Sequence, residues 1–389
     1  MNKLIVLFSF LILGSSLSSQ DYERYVHLLD TTVYSTNLGY EKSLTITVPF
    51  EWQKGMEKSY PVVVIFDRQN PRSHQYILNT IDYLTSNEQM PSCVIVGIES
   101  EQYIDIDGEE VYPRYLETLL EGQSEHTLGM ENENFLFNEI LPLMEGQFQA
   151  SKFRTLIGHS RYGYFTTYLF AKRHNDLNAV VSLSPFMLEK GVNLVDTMEQ
   201  IFAHSAKHTK YYRYGIGNDY PEDFMEMDSM LLAKDHATFD IKGVLFPGAD
   251  HNATPGLTIA PALYDIFEFW VRQQQSFFEI DIEDFDPENS AVEAHYGQKL
   301  PNSLGVLNGM GWQYFNEYHF EKAIKTWNIF AQEYPNFSEV YLYIADAQKR
   351  MEVDCSESLN QFQKSFKHSE IYTKEERKEL EEEYDTLAK

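Results

Sequence analysis

The apolar positions of this chain fall in short runs separated by longer stretches of helical period. Lys42-Ser-Leu-Thr-Ile-Thr-Val-Pro49 alternates polar and apolar residues, the pattern of a strand with one wetted face. Tyr60-Pro-Val-Val-Val-Ile-Phe66 is apolar throughout, as befits a strand buried on both faces of a parallel sheet. A helical spacing over Gln75–Leu84 follows, then the apolar run Pro91–Ile98, so strand, helix and strand predict a right-handed crossover. The same reading predicts helices over Asn132–Phe148, Tyr162–His174 and Phe224–Lys234, and strands over Phe153–Ile157, Ala179–Pro185, Tyr211–Ile216 and Ile241–Phe246. Together these give an α/β fold, a doubly wound and mostly parallel sheet.

Beyond that region the pattern changes. Residues 276–302 are acidic and punctuated by proline, and read as a linker. Residues 303–389 carry only helical periods. Leu307, Gly311, Tyr314, Ala323, Trp327, Phe330 and Pro335 lie close to tetratricopeptide spacing, in which small residues let antiparallel helices approach. Ser338–Met351 and Ser356–Phe366 form a poorer second copy, and Lys374–Leu387 a charged closing helix. So few repeats seldom fold alone, so this small all-α segment is expected to dock on the larger domain or pair with a second copy. A role in binding a protein partner and a purely structural role both remain open for it.

At the other end, residues 1–19 place one lysine before the apolar run Leu4–Leu13 and a tail of small residues, the layout of a secretory signal peptide. No cysteine follows that run for lipid attachment, and no later run is long enough to span a bilayer. The expectation is a secreted or periplasmic protein with an α/β domain over 20–275. Lys+Arg number 31 against 59 Asp+Glu, a net charge of -28, which argues against nucleic acid as a partner. Cys93 sits in an apolar run and Cys355 far from it, so they read as a buried apolar residue and a stray thiol.

Candidate chemistry lies where predicted strands end. Arg154-Thr-Leu-Ile-Gly158-His159-Ser160 runs from strand to turn to helix with a serine at the turn. A serine hydroxyl attacks only when held exposed, near a base and beside N–H groups that can receive an oxyanion. The tight nucleophile elbow usually reads Gly-x-Ser-x-Gly. Here Gly158 fits, Tyr162 takes the second glycine position, and Gly163 follows. A serine that merely caps the following helix is the competing reading. Later strands end at Gly217-Asn218-Asp219 and at Pro247-Gly248-Ala249-Asp250-His251, so nucleophile, acid and base occur in that order. Ligands bind at that edge of open α/β sheets.

Taken with Cys93-Val-Ile-Val-Gly-Ile98, Ser182-Leu-Ser-Pro185 and the continuation Asn252-Ala-Thr-Pro255, these pieces resemble the putative esterase (esterase D-like) family of α/β-hydrolases, in its enterochelin-esterase-like branch. The resemblance spans about Tyr40 to Trp270. It implies a serine hydrolase that cleaves a carboxylic ester, with Ser160 as nucleophile, His251 as general base and Asp219 as acid. Glu222 and Asp223 stand close behind as alternative acids. It also implies an oxyanion hole of backbone N–H groups, from Arg161 and from Arg68 or Gln69.

Two departures bear on this. Tyr162 stands where the family has glycine, so the elbow must open slightly or turn its phenol outward. After Ile98, where the family is often rich in arginine, the chain runs acidic from Glu99 to Glu110, which points to a neutral or cationic substrate if those residues face the site. His159 is expected to turn its ring away from the hydroxyl, and His74 to lie exposed at a helix start. A small-molecule or glycan ester is the expected substrate. No histidine and carboxylate spacing resembles a metal site and no glycine-rich loop a phosphate cradle, so no metal or cofactor is expected. The alternative is a silent hydrolase fold serving as a binding scaffold, favoured by Tyr162.

Overall fold

The structure, a computed structural model, describes residues 24–100, 103–106, 108–234, 237–279 and 286–389. The signal-peptide reading of 1–19 lies outside them. β1 (Tyr25–Tyr34) and β2 (Glu41–Pro49) form a hairpin, followed by β3 (Tyr60–Phe66), α1 (Pro71–Ser86) and β4 (Val94–Ile98). A small hairpin, β5 (Ile104–Ile106) and β6 (Glu109–Val111), leads to the single turn α2 (Pro113–Leu116). α3 (Gly129–Phe135) passes through a π turn into α4 (Leu141–Gln147), then β7 (Ala150–His159), α5 (Arg161–Arg173) and β8 (Ala179–Leu183). The two-residue strands β9 (Leu188–Glu189) and β10 (Val192–Asn193) precede α6 (Leu194–Ile201), β11 (Lys210–Ile216), α7 (Pro221–Leu232) and β12 (Phe239–Leu245).

Eight of these strands make one sheet in the order β1-β2-β4-β3-β7-β8-β11-β12. β1, β2 and β4 pair antiparallel and every later pairing is parallel. The continuous apolar runs become central strands because each has both faces covered. In β3, Val62, Val64 and Phe66 enter the core shared with α4, α5 and α6, while Val63 and Ile65 enter the core shared with α1 and the long helix α8 (Thr254–Glu279). β1 was not anticipated. It is an edge strand whose residues are mostly exposed or half-buried, so little apolar periodicity marks it.

The stretch read as a linker is largely helical. α8 runs into it, and α9 (Asp286–Tyr296) occupies its middle. Val292, Tyr296 and Leu300, four residues apart, are buried in the core beside α8. The Tyr296 hydroxyl donates to the Ile266 carbonyl at 2.9 Å. The helical spacing of Val292 and Tyr296 thus outweighs the acidic composition around them.

The helices α10 (Leu304–Asn316), α11 (Phe320–Glu333), α12 (Val340–Arg350), α13 (Ser356–His368) and α14 (Lys374–Leu387) follow. Gly311 lies against the Trp327 indole, where any Cβ would collide, so α10 and α11 approach closely only because that residue is glycine. The segment docks on the sheet domain. Phe337 meets Phe50 edge to face with centroids 5.5 Å apart, and Asn336 donates to the Glu51 carbonyl at 2.6 Å. Lys58 donates to the Glu333 carbonyl at 3.0 Å and lies over the Tyr334 ring; burial pushes its pKa down to about 8. Among the described residues no helix is long and apolar enough to cross a membrane. Both Cys93, which is buried, and Cys355 are free thiols.

Candidate active site

Ser160 sits between the end of β7 and the start of α5 with φ 60° and ψ -119°. A non-glycine residue held there costs about 1–3 kcal/mol, so the surrounding structure must impose it. The constraint is visible. Ser160 N–H donates to the Leu183 carbonyl at 2.8 Å on one side, and its carbonyl accepts from Tyr164 N–H at 2.9 Å on the other. Gly158 lies against the Tyr162 carbonyl, leaving no room for a Cβ, and Gly163 lies against Leu183 and Pro185. The Ser160 side chain makes no capping hydrogen bond to α5, so it does not play the part of an ordinary helix cap.

Tyr162 does not turn outward. Its ring is fully buried, stacked on Phe66 with centroids 4.5 Å apart, and its hydroxyl donates to Glu117. The close approach in the elbow falls on Gly158 and on the backbone of residue 162. Any side chain that can point into the core is therefore compatible with the turn.

The loops after β11 and β12 meet in space. Gly217 has no Cβ to obstruct Ala249, and Asn218 N–H donates to the Ala249 carbonyl at 2.8 Å. This brings Asp219 Oδ2 to 2.6 Å from His251 Nδ1, which donates to it. The His251 carbonyl is held by the Thr254 hydroxyl and by His159 Nε2, both at 3.0 Å. The His159 ring packs on the His251 ring with centroids 4.8 Å apart. Burial pushes the His159 pKa below its usual value, favouring a neutral ring beside His251. Among the described hydrogen bonds none joins Ser160 to His251, a contact that in unliganded sites is often long and tightens with substrate. Of the alternative acids, Glu222 is exposed and Asp223 accepts from Met187 N–H at 2.6 Å.

On the opposite side, Arg161 is the first residue of α5, so its N–H has no intrahelical acceptor. In the loop after β3, Arg68 N–H donates to the Ile98 carbonyl at 3.1 Å and so extends the sheet ladder. Its amide is therefore engaged, which leaves Gln69 as the loop amide of that pair. His74 is half-buried against Gly97 and Arg68 rather than exposed, and burial pushes its pKa down to about 4.

A family model described as Putative esterase matches residues 35–237. The chain belongs to this family. As an esterase it is a carboxylic ester hydrolase, and its sheet order and strand directions are those of an α/β-hydrolase. It is similar in fold to an IroE-like serine hydrolase from Shewanella oneidensis, at 15% identity and TM-score 0.59, over 78% of this chain and 99% of that one. It is also similar to an uncharacterised protein from Capnocytophaga ochracea, at 16% identity and TM-score 0.54, over 92% of this chain and 99% of the other. A search of curated proteins gives no match.

Sequence reasoning missed two residues of this esterase, Arg114 and Glu117. Arg114 grips Asp67 with two bonds, Nε to Oδ1 at 2.8 Å and Nη2 to Oδ2 at 2.6 Å. Glu117, wholly buried, accepts from Lys42 at 2.7 Å, Tyr40 at 2.5 Å and Tyr162. The pair Arg-x-x-Glu was the available signal, standing just beyond the acidic run where the family carries arginine. Within that run Glu99 pairs with Arg68 at 2.8 Å and Glu110 is exposed. The walls near His251 and Arg161 are aromatic. Tyr220 lies 6.1 Å from the His251 ring and 5.8 Å from Phe186, and the Arg161 guanidinium lies 4.0 Å from the Tyr115 ring centre.

Proposed function

We propose that this esterase works through a serine acyl-enzyme, with Ser160 as nucleophile, His251 as general base and Asp219 as the acid that orients it. The observation that carries the reading is the 2.6 Å bond from His251 Nδ1 to Asp219 Oδ2, on loops that converge near a serine held in a left-handed elbow. With Nδ1 committed to Asp219, Nε2 is the nitrogen free to take the Ser160 proton as Oγ bonds to the ester carbonyl carbon. The carbonyl π pair moves to oxygen, where the N–H groups of Arg161 and Gln69 receive it. His251 then returns the proton to the departing alkoxide. A water, deprotonated by the same nitrogen, cleaves the acyl-serine and restores the hydroxyl. Each step needs only protons and electron pairs already present.

The half-buried Tyr220 ring, 6.1 Å from the His251 ring, supports an ester with an aromatic or other planar group beside the scissile bond. The leader-like residues 1–19 support action outside the cytoplasm. The test is labelling with a fluorophosphonate, followed by a screen of aromatic, aliphatic and sugar esters. The wild-type chain should label on Ser160, and Ser160→Ala should lose both label and turnover. A folded wild-type protein that neither labels nor turns over any ester would overturn the acyl-enzyme reading.

A further inference from the structure

The tyrosine that replaces the elbow glycine touches the loop after β3 along two routes. Its ring stacks on Phe66, the last residue of β3, with centroids 4.5 Å apart and planes 12° apart. Its hydroxyl donates to Glu117, which caps the C-terminus of α2. That one-turn helix carries Arg114, whose guanidinium makes the two-pronged bond to Asp67. Asp67 is itself buried, with φ 60°, and also accepts from Ser100 Oγ and from Gln69 Nε2. The far end of the Gln69 side chain accepts from Ser100 N–H at 3.2 Å, so both ends of that amide are tied. Asn70 N–H closes the loop onto the Asp67 carbonyl at 2.9 Å. These bonds hold the residues on either side of the peptide between Arg68 and Gln69.

We infer that Tyr162 and Arg114 are positioning residues: through Glu117 and Asp67 they lock the Gln69 N–H relative to the nucleophile elbow. The inference rests on the acyl-enzyme reading, in which that N–H faces the oxyanion. Glycine at 162 could supply neither the ring under Phe66 nor the hydroxyl on Glu117. This chain therefore couples its nucleophile turn directly to its oxyanion loop by a side chain. Such a coupling acts on the transition state, where the oxygen carries charge, and hardly on the bound ester. Its loss should lower kcat and leave KM nearly unchanged.

The experiment measures kcat and KM per active site, the sites being counted by fluorophosphonate burst titration, on a chromogenic ester that the wild-type chain cleaves. Tyr162→Phe keeps the stack and loses the hydroxyl; Arg114→Lys keeps the charge and loses the two-pronged grip. Expected losses in kcat are roughly 5–20-fold for Tyr162→Phe and 10–100-fold for Arg114→Lys or Arg114→Ala, below the 10²–10³-fold loss of a whole oxyanion donor. Added guanidinium should restore part of the kcat of Arg114→Ala. A purely structural role would instead reduce the count of titratable sites and the melting temperature while kcat per site stayed at the wild-type value, and that result would overturn the inference. Turnover by the wild type with unchanged kcat in both Tyr162→Phe and Arg114→Lys would sink this coupling alone. A wild type without label or turnover would remove the acyl-enzyme reading and the coupling with it.

Discussion

Among the described residues two carboxylates are completely buried beside a cation, yet they sit in very different company. Glu117 lies under the nucleophile elbow with Lys42, Tyr40 and Tyr162, while Glu51 lies under the C-terminal helices with Arg24 and Ser92. Taking either pair out of water is costly, and each is tolerable only because further hydrogen bonds complete it. What they hold differs. Glu117 ties one loop of the site to another. Glu51 fixes the turn after β2, whose carbonyl receives Asn336 from the docked segment. The same costly device stands once beneath the candidate site and once beneath the docked segment.

The comparison can be broken most violently at the site itself. Asp219→Asn should cut kcat by roughly four orders of magnitude, as wrong-tautomer variants of such triads do, while the melting temperature stays near wild type. If turnover survives that change, the Glu117 side of the comparison loses its catalytic meaning. Next come the single charge removals. Glu117→Leu and Glu51→Leu should each destabilise by about 3–5 kcal/mol in denaturant unfolding, because each strands a buried cation.

The double variants sharpen the contrast. Replacing both partners with apolar residues, Lys42→Met with Glu117→Leu or Arg24→Met with Glu51→Leu, should recover most of that stability. Only the second pair should recover full kcat per titrated site, and equal recovery by both would erase the distinction drawn here. The smallest effect concerns Glu88, where the docked segment meets α1. Glu88 accepts from Ser303, the residue that caps α10, and burial raises its carboxyl to about 7 from 4.5. A carboxyl whose pKa is higher in the folded chain gives stability that is full below about 4.5 and is lost as pH rises through about 7. The gap in melting temperature between Glu88→Gln and wild type should therefore widen in favour of the variant from pH 5 to pH 8. A constant gap would refute the assignment.

The parts of the architecture that a linear reading finds are those with local causes. β3, β4, β8 and β11 are buried on both faces and announce themselves as apolar runs, and the loops at their carboxyl ends follow from them. Asp219 could be nominated because it follows β11, and His251 because its loop follows β12, whose alternation still marks it as a strand although it is a half-exposed edge. Tyr162 was misjudged because direction cannot be read from spacing: crowding at Gly158 concerns the Tyr162 backbone, and its ring was free to turn inward. Arg114 and Glu117 escaped because their partners, at 67, 42 and 162, come from a turn, a strand and a helix distant from them in sequence. α9 escaped because its acidic residues dominate the composition while Val292, His295 and Tyr296 do the packing.

The docking of α11 to α13 has one consequence for how the protein is made. Phe50, Glu51 and Gln53 leave the ribosome early, yet the groups that cover them, Phe337, Asn336 and the His368 carbonyl, are translated some three hundred residues later. Vectorial synthesis thus leaves an uncovered seam beside the sheet until translation is nearly finished, so the hairpin end of the domain is completed last.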